Sequence, residues 1–168
     1  MKPPPLLPEE TLRRVLRLSQ FDGMFVLLVP GFLALTWAAA GDLVGMAIGL
    51  LVAAAGAVEL HGSQLLRAGQ PRGMAWLIAS QPYLMAILLA FCAWRFASYN
   101  PELMRAAVDE EMKARIASYG YGQEAFLRLT YNLSCALIAA LTLFYQGGMT
   151  LYYYRRRAAV MAAFRREA

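Results

Sequence analysis

The sequence predicts an all-α integral membrane protein with four transmembrane helices, and its composition and hydropathy pattern are the reasons. Apolar residues make up 60% of the 168 residues and charged residues 16%, whereas a soluble domain usually has roughly 45–50% and about 25%. Four apolar stretches are each long enough to cross a hydrocarbon core of about 30 Å, which takes roughly 20 helical residues. They lack the alternating pattern of barrel strands, so backbone pairing within lipid requires helices.

We divide the chain into three segments. Residues 1–20 are predicted to form a cytoplasmic, interfacial amphipathic segment, residues 21–157 the transmembrane domain, and residues 158–168 a basic cytoplasmic tail. Within the domain, spans are expected at about 23–40, 43–62, 74–96 and 129–154, and an outer amphipathic segment at about 100–120. Pro30 and Pro82 are expected to kink the first and third spans.

The first span has a second interpretation. Basic residues, an apolar stretch and the small residues "AAAG" together resemble a secretory signal with a cleavage site. Asp22 and Pro30 within the stretch fit a retained helix better than the apolar region of a signal. We therefore expect the first span to remain in the protein.

The distribution of lysine and arginine predicts the orientation. Of the 16 basic residues, 11 lie before the first span, between the second and third, or after the fourth, and cytoplasmic loops carry such an excess. Both termini are therefore expected in the cytoplasm, in a bacterial-type inner or plasma membrane. Tyr152, Tyr153 and Tyr154, beside an arginine triplet, are expected to form a belt at the membrane interface.

Two further segments are predicted to form amphipathic helices. Pro8 begins the first, with acids in its first turn and Leu12, Val15 and Leu16 on one face, so it is expected to lie along the inner membrane surface. In the outer segment Pro101 suits a first helical position, and Gly120 can end the helix. Its apolar face is expected to contain Met104, Val108 and Met112.

Polar residues on three spans are predicted to lie at a similar depth. At about 1.5 Å per residue, Glu59 lies roughly 12 Å from Arg67, and Gln81 and Gln146 lie roughly 14 Å from the arginines nearest to them. Asp22, about 8 Å beyond Arg17, is expected at the mouth of the same layer. The sequence thus predicts a polar layer in the cytoplasmic half of the membrane.

A glycine face on the second span indicates which way Glu59 points. At about 100° per residue, one side of this helix collects small residues within about 40° of one another: Gly45, Gly49, Gly56 and Ser63. Gly45 and Gly49 have the spacing at which membrane helices approach closely. Glu59 lies beside this face and is expected to meet another helix, whereas His61 lies almost opposite Glu59.

Six polar residues are candidates for transport or ligand binding: Glu59, His61, Asp22, Gln64, Gln81 and Gln146. An intramembrane acid such as Glu59 is a functional candidate by default, and a hydrogen bond between helices is the structural alternative. His61, the only histidine, can serve as a ligand or proton relay, or simply extend to the headgroups.

Two of the candidates have strong structural alternatives. Gln81 precedes Pro82, so it is also suited to repairing the kink that the proline introduces. Gln146 belongs to "YQGG", which favours a hinge or a tight helix contact over a ligand site.

The motifs of several other chemistries are missing from the sequence. It has no H-E-x-x-H, phosphate-binding loop, dinucleotide fingerprint or G-x-S-x-G, and its two lysines, Lys2 and Lys113, lie outside the spans. Cys92 and Cys135 lie in apolar segments, which favours free core thiols over disulfides or a zinc site. Enzymatic activity and any particular cofactor are unsupported, and the basic residues flank spans rather than forming a nucleic-acid surface.

Two functions fit these observations. The first is a small oligomeric channel or transporter for cations or protons, in which a repeated ring of Glu59 lines a pathway between subunits. The second is a non-catalytic accessory or assembly subunit of a larger membrane complex. The expected partners are the lipid bilayer and either further copies of the chain or other membrane subunits.

Overall fold

The computed structural model is all-helical, as the sequence predicts. It describes residues 7–102, 108–118, 120 and 122–167; of these, 89% are helical and none lies in a strand. The helices are α1 (Pro8–Ala39), α2 (Leu43–Arg67), α3 (Gly73–Ala97), α4 (Glu110–Ser118) and α5 (Gln123–Glu167). All of these except α4 are long and apolar enough to cross a membrane, which confirms the prediction of four such helices.

Local sequence signals explain where α1 and α2 begin and end. Pro8 occupies the first turn of α1 together with two glutamates, which the helix dipole favours there. The side chain of Asp42 accepts a hydrogen bond of 2.9 Å from the backbone N–H of Gly45 and so caps the start of α2. Gly41 and Gly69 adopt φ angles of 76° and 72° in the turns that follow α1 and α2.

Two helices are longer than the predicted elements. The predicted amphipathic segment 1–20 is, over its described part, continuous with the first span in α1, and the predicted tail 158–168 is continued by α5 as far as Glu167. The apolar face of the start of α1 packs on the protein itself: Val15 is fully buried in a core cluster, with Leu12 and Leu16 packed against it. This face therefore contributes to packing within the protein.

The chain forms two compact units. The first comprises Met1–Ile87 and Leu143–Ala168 and has a core to which α1, α2, α3 and α5 contribute: Val15, Leu66, Met74, Leu77, Met149, Tyr153 and Val160. The second comprises Leu88–Thr142 and has a small cluster of Val108, Ile116 and Leu127. In this unit Tyr131 donates a hydrogen bond of 2.9 Å to the carbonyl of Arg95.

The outer amphipathic segment is only partly described. Of its predicted apolar face, Met104 lies outside the described residues, Val108 is buried and Met112 is exposed. Helix α4 begins after Asp109, whose side chain accepts a hydrogen bond of 2.7 Å from the N–H of Met112. Pro101 lies in a helical stretch and Gly120 has a φ of 74°.

Candidate functional site

Glu59 is the centre of a buried polar cluster in the first unit. Glu59 is 1% exposed. The hydroxyl of Tyr153 donates a hydrogen bond of 2.6 Å to Oε1, and Nε2 of Gln81 donates one of 3.0 Å to Oε2. Three helices, α2, α3 and α5, therefore meet at this carboxylate.

Asp22 on α1 brings a second carboxylate into the same cluster. The hydroxyl of Tyr145 donates a hydrogen bond of 2.8 Å to Oδ1, and Gln81 Nε2 lies 3.4 Å from Oδ2. All four oxygens of the two carboxylates thus have a donor. We name these five residues, Asp22, Glu59, Gln81, Tyr145 and Tyr153, the carboxylate cluster.

Gln81 joins the two carboxylates through one amide nitrogen. It is completely buried, and its Oε1 has no hydrogen-bond partner among the described residues. The side chain of Gln81 does not serve to repair the kink at Pro82, because its amide points toward Asp22 and Glu59. Ser80 has a local role instead, since its hydroxyl donates to the carbonyl of Leu77 at 3.0 Å.

Close packing of α1 against α2 brings the carboxylates together. A Cβ atom placed on Gly56 would lie 2.7 Å from the carbonyl oxygen of Gly23, and one placed on Gly49 would lie 3.0 Å from that of Pro30. Beyond this crossing the hydroxyls of Ser19 and Ser63 are 2.6 Å apart. The face containing Gly49, Gly56 and Ser63 therefore contacts α1 within one chain.

The remaining residue of the predicted glycine face has a different neighbour. A Cβ atom on Gly45 would meet the side chains of Asp42 and Trp37, at 2.7 and 2.9 Å. Gly45 therefore accommodates the N-cap of α2 and an indole ring rather than a backbone. Small size is required at both kinds of contact, because a side chain would overlap atoms already present.

The two carboxylates of the carboxylate cluster have no positively charged partner among the described residues. Neither Asp22 nor Glu59 forms an ion pair with any of the residues that the structure describes. Burying a carboxylate without a counter-charge is costly, and two of them close together repel each other. The arrangement therefore favours uptake of a proton or of a small cation at the paired carboxylates.

The other three candidates lie outside this hydrogen-bonded group. Gln146 is 5% exposed, and its Oε1 is buried without a partner among the described residues. His61 and Gln64 are both exposed. The rings of His61 and Trp76 form a T-shaped contact, with centroids 5.5 Å apart. The structure thus brings together three of the six predicted residues.

The two glycines of "YQGG" do not form a tight contact with the described part of the chain. A Cβ atom on Gly147 or Gly148 would have no neighbour within 4 Å. The described residues therefore give no support to the close-approach interpretation of this motif.

Tyr145 and Tyr153 were missed as members of the site. Tyr153 was predicted to lie in an interfacial belt, but it is completely buried against Glu59, while Tyr154 beside it is 64% exposed. The spacing held a usable signal, because Gln146 and Tyr153 are two helical turns apart and so share a face. Met149, between them on that face, is also buried.

Among the described residues, no three histidine, cysteine, aspartate or glutamate side chains are grouped as a metal site would require. Cys92 and Cys135 are both free and buried, as expected for core thiols.

Tyr153→Phe tests how strongly the cluster holds the helices together. The change removes the donor to Glu59 Oε1 and leaves a buried carboxylate oxygen unpaired, which should lower the free energy of unfolding by about 1–3 kcal/mol. Denaturation of the purified protein in detergent measures this change. Tyr154→Phe is the matched control, because Tyr154 is exposed; equal effects of the two substitutions would contradict the role of Tyr153.

The fold and site together define an all-helical chain with four helices capable of spanning a membrane and a buried pair of carboxylates in one of its units. Comparison of the chain with protein-family models, curated proteins and solved structures gave no match. Its function must therefore be inferred from the site.

Proposed function

We propose that the protein is a small membrane transporter or channel for cations or protons, with the carboxylate cluster as its exchange site. The observation that carries the proposal is the sharing of Gln81 by two buried carboxylates that lack a cationic partner among the described residues. Intramembrane acids of this kind typically mark ion or proton pathways.

Each residue of the cluster has a distinct role in this proposal. Asp22 and Glu59 bind the proton or cation, and Gln81 holds the two carboxylates close enough to act as one site. Tyr145 and Tyr153 each donate to one carboxylate oxygen and orient it. A site that gains and loses one positive charge can pass that charge on, provided that binding is not too tight for release.

The burial of Glu59 favours a pathway within the first unit. The expectation that a ring of Glu59 residues lines a path between subunits is not supported by the geometry, because Glu59 is enclosed by its own chain. We place the pathway among the helices that contribute the cluster. Association into a homo-oligomer remains part of the proposal and is tested by the mass of the purified protein.

The same proposal places both termini in the cytoplasm of a bacterial-type inner or plasma membrane, with α4 on the outer side. The positions of the arginines support this orientation. A thiol introduced at Ala40 should react with an impermeant reagent from outside, and one at Ala68 only after permeabilisation. The reverse pattern would refute the orientation.

Reconstitution into liposomes tests the function directly. Vesicles with the protein should relax an imposed proton or potassium gradient, read with an internal dye, faster than vesicles without protein. If vesicles with and without the protein relax both the proton and the potassium gradient at the same rate, the transport proposal is refuted.

An accessory or assembly subunit is the second candidate. It is supported by a stripe of exposed leucines on α5 at four-residue spacing, which suits lipid or a partner helix: Leu129, Leu133, Leu137 and Leu141. Mild extraction followed by mass spectrometry distinguishes the candidates. Fixed stoichiometric partners together with absent flux would favour the accessory role.

A further inference from the structure

Two grooves on the first unit are both lined by Tyr152. One, of about 400 Å³, is lined by Arg14, Arg17, Leu18, Phe21 and Tyr152. The other, of about 450 Å³, is lined by Gly148, Leu151, Tyr152, Arg155 and Arg156. The grooves therefore share one aromatic side chain, and each contains two arginines.

The four residues from α1 form one stripe along the helix. Their positions, 14, 17, 18 and 21, follow the spacing at which side chains share a helix face. The arginines lie toward the start of α1, and Leu18 and Phe21 lie about one and about two turns beyond Arg14. The surface of this groove is mainly apolar, and a ligand lying in it would have the two arginines at its border.

The second groove has the same polarity on α5. Positions 148, 151, 152 and 155 again share a face, with the arginine toward the end of the helix and Leu151 and Gly148 farther from it. Gly148 leaves open space, since a Cβ atom there would meet nothing within 4 Å. The guanidinium of Arg156 lies 5.7 Å from the centre of the Tyr152 ring.

Three of the arginines that line these grooves are available to bind an anionic ligand. Arg14, Arg17 and Arg155 form no ion pair with any acid in the part of the chain that the structure describes. Glu10 lines a smaller neighbouring groove with Arg13, Arg14 and Arg17, without closing an ion pair there. The charge around Tyr152 therefore remains strongly positive.

We infer that the grooves beside Tyr152 bind an anionic phospholipid. Its phosphate contacts the arginines, and its acyl chains follow Leu18 and Phe21 on one side and Leu151 on the other. Guanidinium groups are suited to phosphate, and basic pockets between membrane helices are recognised sites for anionic headgroups. The apolar end of each groove favours a lipid over a free phosphate ion.

A titration of the purified protein with defined lipids tests this inference. The full chain in detergent is titrated with phosphatidylglycerol or phosphatidylcholine, and native mass spectrometry counts the lipids that remain bound. We expect retention of phosphatidylglycerol at concentrations where phosphatidylcholine is lost. Equal retention of the two lipids, or displacement of phosphatidylglycerol by inorganic phosphate, would overturn the proposal.

Two double variants with the same net charge locate the site. Arg17→Gln with Arg155→Gln removes one guanidinium from each groove and should weaken phosphatidylglycerol binding by at least about tenfold. Arg13→Gln with Arg157→Gln is the matched control, because neither residue lines these two grooves. Circular dichroism checks that both variants are folded. A similar loss in both would show that overall charge, rather than the grooves, attracts the lipid.

Discussion

Glu59→Gln is expected to reduce cation or proton flux through reconstituted protein by about tenfold or more while leaving the helical fold intact. A carboxylate about 4 Å from a cation contributes about 4 kcal/mol at an effective dielectric of about 20, and about 1.4 kcal/mol already corresponds to a factor of about ten. The amide keeps the shape of the side chain. Rotation of the Gln81 amide can present to it the Oε1 atom, which has no partner among the described residues. The measurement is gradient relaxation in liposomes, normalised to the amount of inserted protein.

Controls separate this effect from a general loss of acidity. Asp22→Asn should reduce flux in the same way, because Asp22 shares Gln81 with Glu59. Glu10→Gln removes the same charge from an exposed position on α1 and should leave flux unchanged. Wild-type flux in the Glu59→Gln and Asp22→Asn variants would remove the carboxylate cluster from the mechanism and leave the accessory role as the better account.

Gly56→Ala is expected to destabilise the protein strongly although it adds only one methyl group. The new carbon would lie 2.5 Å from the backbone nitrogen of Leu27 and 2.7 Å from the oxygen of Gly23. Backbone atoms cannot move aside as a flexible side chain can, so α1 and α2 must separate. We expect a loss of about 1–3 kcal/mol, the usual range for overpacking, measured by unfolding in detergent.

Gly147→Ala is the matched control for this substitution. It makes the same chemical change within a helix, but at a position where a Cβ atom meets nothing within 4 Å. Its stability should equal or slightly exceed that of the wild type, because alanine favours helix over glycine. Equal stability of the two variants would show that α1 and α2 tolerate a wider separation. In the Gly56→Ala variant the contact between Ser19 and Ser63 should also be lost. The hydrogen bonds from Gln81 to Asp22 and Glu59 should be lost with it, which would lower transport.

The direction of the helix faces could be inferred from the sequence only in part. The glycine spacing on α2 identified a helix-packing face and placed Glu59 beside it, since side-chain direction within one helix follows from its period. The position of His61 on the other side of α2, away from the cluster, follows from the same period. The partner of that face could not be inferred, because several helices were available to pack there and periodicity within α2 does not choose among them.

The residues around Glu59 depended on packing between distant parts of the chain. Tyr153 was assigned to the membrane interface because aromatic residues beside arginines often lie there, yet its hydroxyl reaches Glu59. Gln81 was a ligand candidate with repair of the proline kink as its local alternative, and its partners lie on α1 and α2. Local rules could not identify these contacts, since each joins residues far apart in sequence.

The sequence by itself determined the helical class and the four helices able to span a membrane, because apolar length and backbone pairing in lipid are properties of continuous segments. It also indicated that Glu59 and Gln81 lie at similar depths with Asp22 at the mouth of the same layer, since helical rise converts sequence separation into distance. Only the tertiary structure decided that these three side chains meet, that Tyr145 and Tyr153 complete the cluster, and that Gln64 and Gln146 remain outside it. Those outcomes depend on which helices pack together and on how each helix is rotated about its axis. Close contacts at single glycines such as Gly56 determine the choice of partner helix and the rotation.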